Sequence, residues 1–316
     1  MAKKSRSKSR PQQTAPGEVG PRQPCPCGSG RRYKACHGAP GGAAAVFVGR
    51  PFEGMPSECD VVALRELVPA ATAPLTLKGD ADRTVTLCSL LPAAVPAMVR
   101  DNGEIWLGLQ VQHNFGDPAR DLGAVLEAAL EQAAAGESGV VGLLEAPGEG
   151  PRLQDLVADE PLTVTVHDGF GYWVADLPEA DRPAAEAALE RANDAANPTA
   201  RLTSVPAAYW TNVGAKEHLR WVMPEPEGAL LDALARLHAA GKDVLVEGSR
   251  FVGMFRAHGL LAPVWDLPVG TGPEALEEPA ERFAADLAEA LASTSDLTAE
   301  ERSARAGLAN RQVTIR

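Results

Sequence analysis

The stretch Ala119-Arg120-Asp121-Leu122-Gly123-Ala124-Val125-Leu126-Glu127-Ala128-Ala129-Leu130-Glu131-Gln132-Ala133-Ala134-Ala135-Gly136, followed by Val140-Val141-Gly142-Leu143-Leu144, sets the fold class. Leu122, Val125, Leu126, Ala129 and Leu130 recur at helical spacing and share one face, so 119–135 reads as an amphipathic helix. Gly136 closes it, because only glycine enters the left-handed conformation of a C-terminal cap without steric cost. Ahead of the helix, Asp117 reads as its cap and Pro118 as its first turn, with Asp121 at the positive end of the dipole and Arg120 beside it. The run 140–144 is short, apolar and β-branched, as strands are.

Outward from this unit the same two periods alternate. Thr84–Leu91, Glu104–Val111, Leu162–His167 and Tyr172–Ala175 read as strands, and Glu227–Ala240 as a second helix with Leu230, Leu231, Leu234 and Leu237 on one face and Gly241 closing it. The first helix leads to Asp176-Leu177-Pro178 and a helix over about 180–195. The second leads through Asp243–Val246 and Pro263-Val264-Trp265 to Asp266-Leu267-Pro268 and a helix over Pro279–Leu291. Matching order and punctuation suggest a degenerate duplication of 119–195 and 227–292, although the spacing from glycine to Asp-Leu-Pro, 40 residues against 25, demands an insertion or deletion. Coincidence between two ordinary helix-strand units is the alternative. Either way, residues 46–295 form a mixed α+β body, expected as two related layers. Thr298 and Glu301 spell a capping box, so 296–316 reads as a charged helix or tail.

Charge divides the chain. Residues 1–34 carry nine Lys/Arg against Glu18 alone, a local charge of +8, whereas the remainder is −20 within a net −12. Residues 1–23 hold almost nothing apolar and are expected to form a disordered basic tail, suited to RNA, ribosomes, anionic lipid or acidic protein surfaces. No apolar run reaches the length of a membrane span and no apolar signal core follows the basic start, which points to the cytoplasm. Of five cysteines, three cluster beside a histidine, as in a metal site. Cys88 lies in an apolar run and reads as a small buried hydrophobe; Cys59 is undetermined.

That cluster is Pro24-Cys25-Pro26-Cys27-Gly28-Ser29-Gly30-Arg31-Arg32-Tyr33-Lys34-Ala35-Cys36-His37. Two thiolates one residue apart grip one ion only if the backbone turns tightly, and Pro26 and Gly28 favour such a turn. Cys36 and His37 complete three sulfurs and one nitrogen, a soft tetrahedral set suited to Zn²⁺ and less to iron. With all four positions taken by protein, the zinc is structural. So small a module depends on it to fold, and Gly38–Ala45 then links it to the body.

Residues 24–38 closely resemble the SEC-C motif, the zinc-binding tail of the SecA translocase ATPase. The match takes in Cys25, Cys27, Cys36 and His37 as ligands, the Gly28-Ser29-Gly30 turn, the basic pair and Tyr33. The resemblance implies a recognition knob for a chaperone such as SecB, a ribosome or anionic lipid, with Arg31, Arg32, Tyr33 and Lys34 as contact residues. It implies no translocase, for GxxxxGK[ST] is absent and Gly270-Thr271-Gly272-Pro273 lacks the lysine. The body resembles an uncharacterised actinobacterial family through Gly116–Leu122 and the string Phe251–Pro268, with no activity to carry over.

A catalytic reading of the body has three weak supports. Arg256, His258 and Asp266 converge only if Phe251–Trp265 folds back on itself; His167-Asp168 fits a hairpin; Glu217-His218 carries no further pattern. No G-x-S-x-G, H-E-x-x-H or dinucleotide fingerprint occurs. The expectation is a zinc-bearing, non-catalytic docking or accessory factor. An enzyme localised by the knob, or RNA binding through the tail, are the alternatives.

Overall fold

A computed structural model describes residues 22–23, 32–35, 47–175 and 182–315. Cys25, Cys27, Cys36, His37 and Arg31, most of the basic tail and linker, and Asp176-Leu177-Pro178 lie outside the described residues. Among those described, the chain is a mixed α+β structure with seven α-helices and two six-stranded mixed sheets.

The first sheet collects β1 (Ala71–Leu77), β2 (Asp80–Cys88), β3 (Ala97–Val99), β4 (Ile105–Gly108), β5 (Gly139–Val141) and β6 (Thr165–Val166) in the order β5-β3-β4-β2-β1-β6. Only β2 and β4 run parallel. All four residues of β4 are buried because both faces of the sheet are covered. Ile105 and Leu107 face α1 (Glu58–Glu66) and α2 (Pro118–Ala134), whereas Trp106 faces a second core built on Phe170 and Trp173. After the single turn α3 (Leu153–Leu156), α4 (Arg182–Ala195) adds Leu189 and Ala192 to that second core.

The second sheet collects β7 (Thr199–Arg201), β8 (Ala208–Asn212), β9 (Glu217–Trp221), β10 (Arg250–Ala257), β11 (Leu260–Leu267) and β12 (Gln312–Thr314) in the order β12-β10-β11-β9-β8-β7. Its one parallel pair is the edge pair β10–β12. The helices α5 (Glu227–Ala239), α6 (Glu277–Ala292) and α7 (Ala299–Ala309) cover one face, where Phe283 of α6 packs edge to face on Trp265 and at a tilt on Trp221. The other face presents Tyr209, Leu260 and Ala262 to the core of the first sheet.

The halves meet on α1. Val61, Val62, Ala63 and Leu64 are consecutive and all buried, the pattern of a helix enclosed on every side. Its charged residues are therefore forced into pairs. Glu58 takes Arg50 in a bidentate pair at 2.7 Å, Asp60 takes Arg201 and Tyr209, and Glu66 takes His258 at 2.7 Å.

Asp117 caps α2, Gly136 and Gly241 close α2 and α5 with positive φ, and the Thr298–Glu301 capping box opens α7, all as the sequence indicates. Cys88 is fully buried. Two expectations are corrected. Tyr172–Ala175 is not a strand but part of a 3-10 turn, Gly171–Val174. Strand alternation sends neighbours to opposite faces, yet Tyr172 Oη and Trp173 Nε1 both donate to Leu90 O, at 2.8 and 3.0 Å. Asp243–Val246, which stands where the first unit has its strand, is not a strand but an irregular segment running into a turn over 246–249, with Ser249 Oγ accepting from the amides of Leu245 and Val246. At the C-terminus α7 packs against α5 with Leu308 buried, and β12 extends the sheet. The two segments compared in the sequence therefore differ here, a 3-10 turn at 171–174 standing against strand β11 at 260–267.

Candidate functional site

Of the four expected contact residues, Arg32, Tyr33 and Lys34 are described. A 3-10 turn spans Tyr33–Ala35, Tyr33 N–H donates to Gln23 O at 2.8 Å, and Arg32 and Lys34 are exposed with Tyr33 half-buried. The two cations are thus presented outward. The chain then enters the body at a fixed point, where Val48 N–H donates to Gly116 O at 2.9 Å and Arg50 locks onto Glu58.

The residues singled out for acid–base chemistry do not converge. Arg250 pairs with Asp266 and Ala257 with Leu260 across the β10–β11 hairpin, which sets Arg256 and Asp266 near opposite ends of it. Arg256 binds Glu227 and Gln312, whereas Asp266 binds Lys216 at 2.7 Å. His258 occupies the hairpin turn with φ 47° beside Gly259, its Nε2 on Glu66. Glu217 accepts from Trp210 Nε1 and from the amides of Gly270 and Gly272, so it pins a loop. His167 Nε2 meets Thr72 Oγ1 at 2.8 Å.

A cleft of about 210 Å³ opens elsewhere, where the parallel strands β2 and β4 end and α2 begins. Its walls are mainly apolar, with Val95, Leu122, Leu143 and Leu144 among them. Leu144 is 96% exposed at its edge. Ala93 and Ala94 on the opposite wall both hold left-handed backbone, φ 56° and 52°, a conformation costing roughly 1–2 kcal/mol per non-glycine residue. Gln112 Nε2 donates to Ala93 O at 2.9 Å and braces that wall. Gly108 is required by the close approach of Val95 O, 2.6 Å from where a Cβ would stand.

Two charged groups reach this cleft. Arg65 comes from the end of α1, its side chain 8% exposed. Nη1 donates to Leu109 O, and Nε lies 3.3 Å from Glu66 Oε1 without hydrogen-bond alignment. Beside it, Gln110 Nε2 caps α1 by donating to Leu64 O and Val68 O, so the loop after β4 is stitched to the helix. Asp121 comes from the first turn of α2 and is 8% exposed. Its Oδ2 accepts from Phe115 N–H at 2.8 Å, and Oδ1 is buried without a partner. Burial pushes the Asp121 carboxyl up to about 6, with Asp117 adding to the rise. Burial also holds the Arg65 guanidinium below its ordinary value. Neither side chain was singled out with the other in the sequence, where 55 residues separate them.

The model of a family of unknown function, DUF5926, matches residues 51–316, and that of the SEC-C motif matches residues 22–39. The chain belongs to the DUF5926 family. No curated protein and no solved structure matches it.

The two matches divide the DUF5926 chain where the geometry does. The body match begins at Pro51, one residue after Arg50 locks onto α1, and it contains the cleft and both sheets. Among the described residues no helix is long and apolar enough to cross a membrane.

Proposed function

We propose that this DUF5926 chain is a zinc-stabilised docking factor. The SEC-C match over residues 22–39 carries the proposal. Cys25, Cys27, Cys36 and His37 supply a donor set suited to structural Zn²⁺, which contributes on the order of 10 kcal/mol or more to folding such a module. The zinc holds the turn that displays Arg31, Arg32, Tyr33 and Lys34. The exposure of Arg32 and Lys34 supports the contact role, and the +8 segment they belong to suits the anionic surface of a ribosome. The body is read as non-catalytic because its conspicuous charged residues are engaged in pairs that join structural elements.

The test is metal content and ribosome co-sedimentation of the full chain, a Cys25→Ser/Cys27→Ser form and an Arg31→Ala/Arg32→Ala/Lys34→Ala form. The expected result is one zinc per intact chain, with sedimentation lost in both variants and weakened steeply by salt. Absence of stoichiometric zinc, or unchanged sedimentation of the variants, refutes the proposal.

A further inference from the structure

We propose that the cleft between β4 and α2 binds a small apolar α-amino acid, with its carboxylate on Arg65, its ammonium on Asp121 and its side chain against Val95, Leu122 and Leu143. The reading is independent of the zinc knob.

Three observations converge on a ligand of this class. The volume, about 210 Å³, lies below the roughly 300–1,000 Å³ of sites for drug-sized ligands, so the occupant is small. The walls are largely apolar while the two charged groups carry opposite sign, with Gln112, His113 and Asn114 as the other polar side chains in the lining, which matches a molecule with an apolar side chain and a zwitterionic head. Both polar groups are also incompletely satisfied. Among the described residues, the guanidinium of Arg65, with five N–H donors, makes one hydrogen bond, and Asp121 Oδ1 makes none. Buried polar atoms of this kind are ordinarily paired.

The electrostatics favour a zwitterion over either half of it. Desolvation disfavours the charged form of both groups, and no N···O contact within 4.0 Å joins them. Arg65 has the Glu66 carboxylate at 3.3 Å but out of hydrogen-bond alignment, so a lone carboxylate ligand would take its open donors and repel Asp121, whereas a lone amine would pair with Asp121 and repel Arg65. An amino acid places each charge beside its opposite. The left-handed Ala93 and Ala94 hold one wall in place before the ligand arrives, so ordering that wall adds little to the cost of binding.

The experiment is titration calorimetry on the full chain with L-leucine, L-isoleucine, L-valine and L-methionine, alongside 4-methylpentanoate and 3-methylbutylamine as leucine lacking one charge or the other. The expected result is that at least one amino acid binds and that both half-ligands bind at least about tenfold more weakly. Asp121→Asn keeps an acceptor for Phe115 N–H and is expected to weaken amino-acid binding by at least about tenfold. Because Arg65 braces α1, Val111→Trp serves as the second variant: it fills the cleft from its rim and abolishes binding. No binding by any of the four amino acids overturns the inference. So does equal binding by a half-ligand, or undiminished binding by either variant.

Discussion

Replacing Asp60 by alanine tests how the two halves are held together. Asp60 is 5% exposed, and its carboxylate accepts from Tyr209 Oη at 2.6 Å and from Arg201 Nε and Nη2 at 3.1 and 3.2 Å. Tyr209 is itself 1% exposed, so its hydroxyl gains no water when the carboxylate is removed. Breaking a buried pair by removing one member costs about 3–5 kcal/mol, most of it the penalty of the charge left behind. At roughly 2–4 °C per kcal/mol for a chain of about this size, Asp60→Ala lowers Tm by about 6–20 °C. Tyr209→Phe removes one hydrogen bond to a charged acceptor and costs about 1.5–3 kcal/mol. In the double variant the tyrosine has no carboxylate left to lose, so the two effects fall short of additive by more than 0.5 kcal/mol, measured by circular dichroism melts and urea midpoints. A loss below about 1 kcal/mol for Asp60→Ala, or additivity in the pair, refutes the reasoning.

Three further outcomes follow from individual residues. Asp121, with its carboxyl up at about 6 against an ordinary 3.8, favours the folded state when protonated, so its contribution is lost as pH rises through 6. Asp121→Asn therefore stabilises the protein at pH 7.5 by on the order of 2–3 kcal/mol and has little effect near pH 3.5; equal urea midpoints at pH 7.5 contradict this. Glu277 behaves oppositely. Burial works upward on it, but the donors of Ser204 and Thr203 outweigh burial and hold the carboxyl down at about 2, so its contribution is present above the ordinary 4.5 and lost as pH falls toward 2. Glu277→Gln is then less stable than the native chain at pH 6, and acid titration shows that difference closing between pH 4.5 and 2. Gly259→Ala costs more than Gly79→Ala. Both glycines sit at φ near 83°, but only at 259 does a Cβ come within 2.8 Å of Gly49 O and Arg50 Cβ; paired urea midpoints showing equal losses count against that contact.

Helices α2 and α5 were legible because each buries one face and exposes the other, which writes the 3.6-residue period into the sequence. Helix α1 was not. Enclosed on every side, Glu58–Glu66 shows no apolar stripe, and its acids look like surface residues until their partners Arg50, Arg201 and His258 arrive from elsewhere in the chain. The turn at Gly171–Val174 misled because aromatic side chains favour strands, whereas here Tyr172 and Trp173 share one carbonyl acceptor. The cleft was half legible. Asp121 was rightly placed in the first turn of α2, but a helix-dipole role does not foretell an amide bond to Phe115 or a neighbour from α1. The left-handed Ala93 and Ala94 carry no signal at all, since alanine is not a residue that marks positive φ.

The charges on α1 explain why a helix so enclosed keeps four of them in nine residues. Apolar replacements would pack between the sheets as well, and paired charges in an interior add little net stability over such replacements. What they fix is seating. Among the described residues, Glu58 accepts from the incoming segment at Arg50, Asp60 from the β7–β8 edge of the second sheet, and Glu66 from the turn of the β10–β11 hairpin, while Arg65 reaches back to the loop that follows β4. A rotation of α1 by one residue, about 100°, would carry every one of these groups away from its partner into an apolar layer. An all-apolar helix between two sheets has no such restraint, because the neighbouring register buries nearly the same area. The pairs therefore select one orientation of the second half against the first, and with it the position of Arg65 at the floor of the cleft.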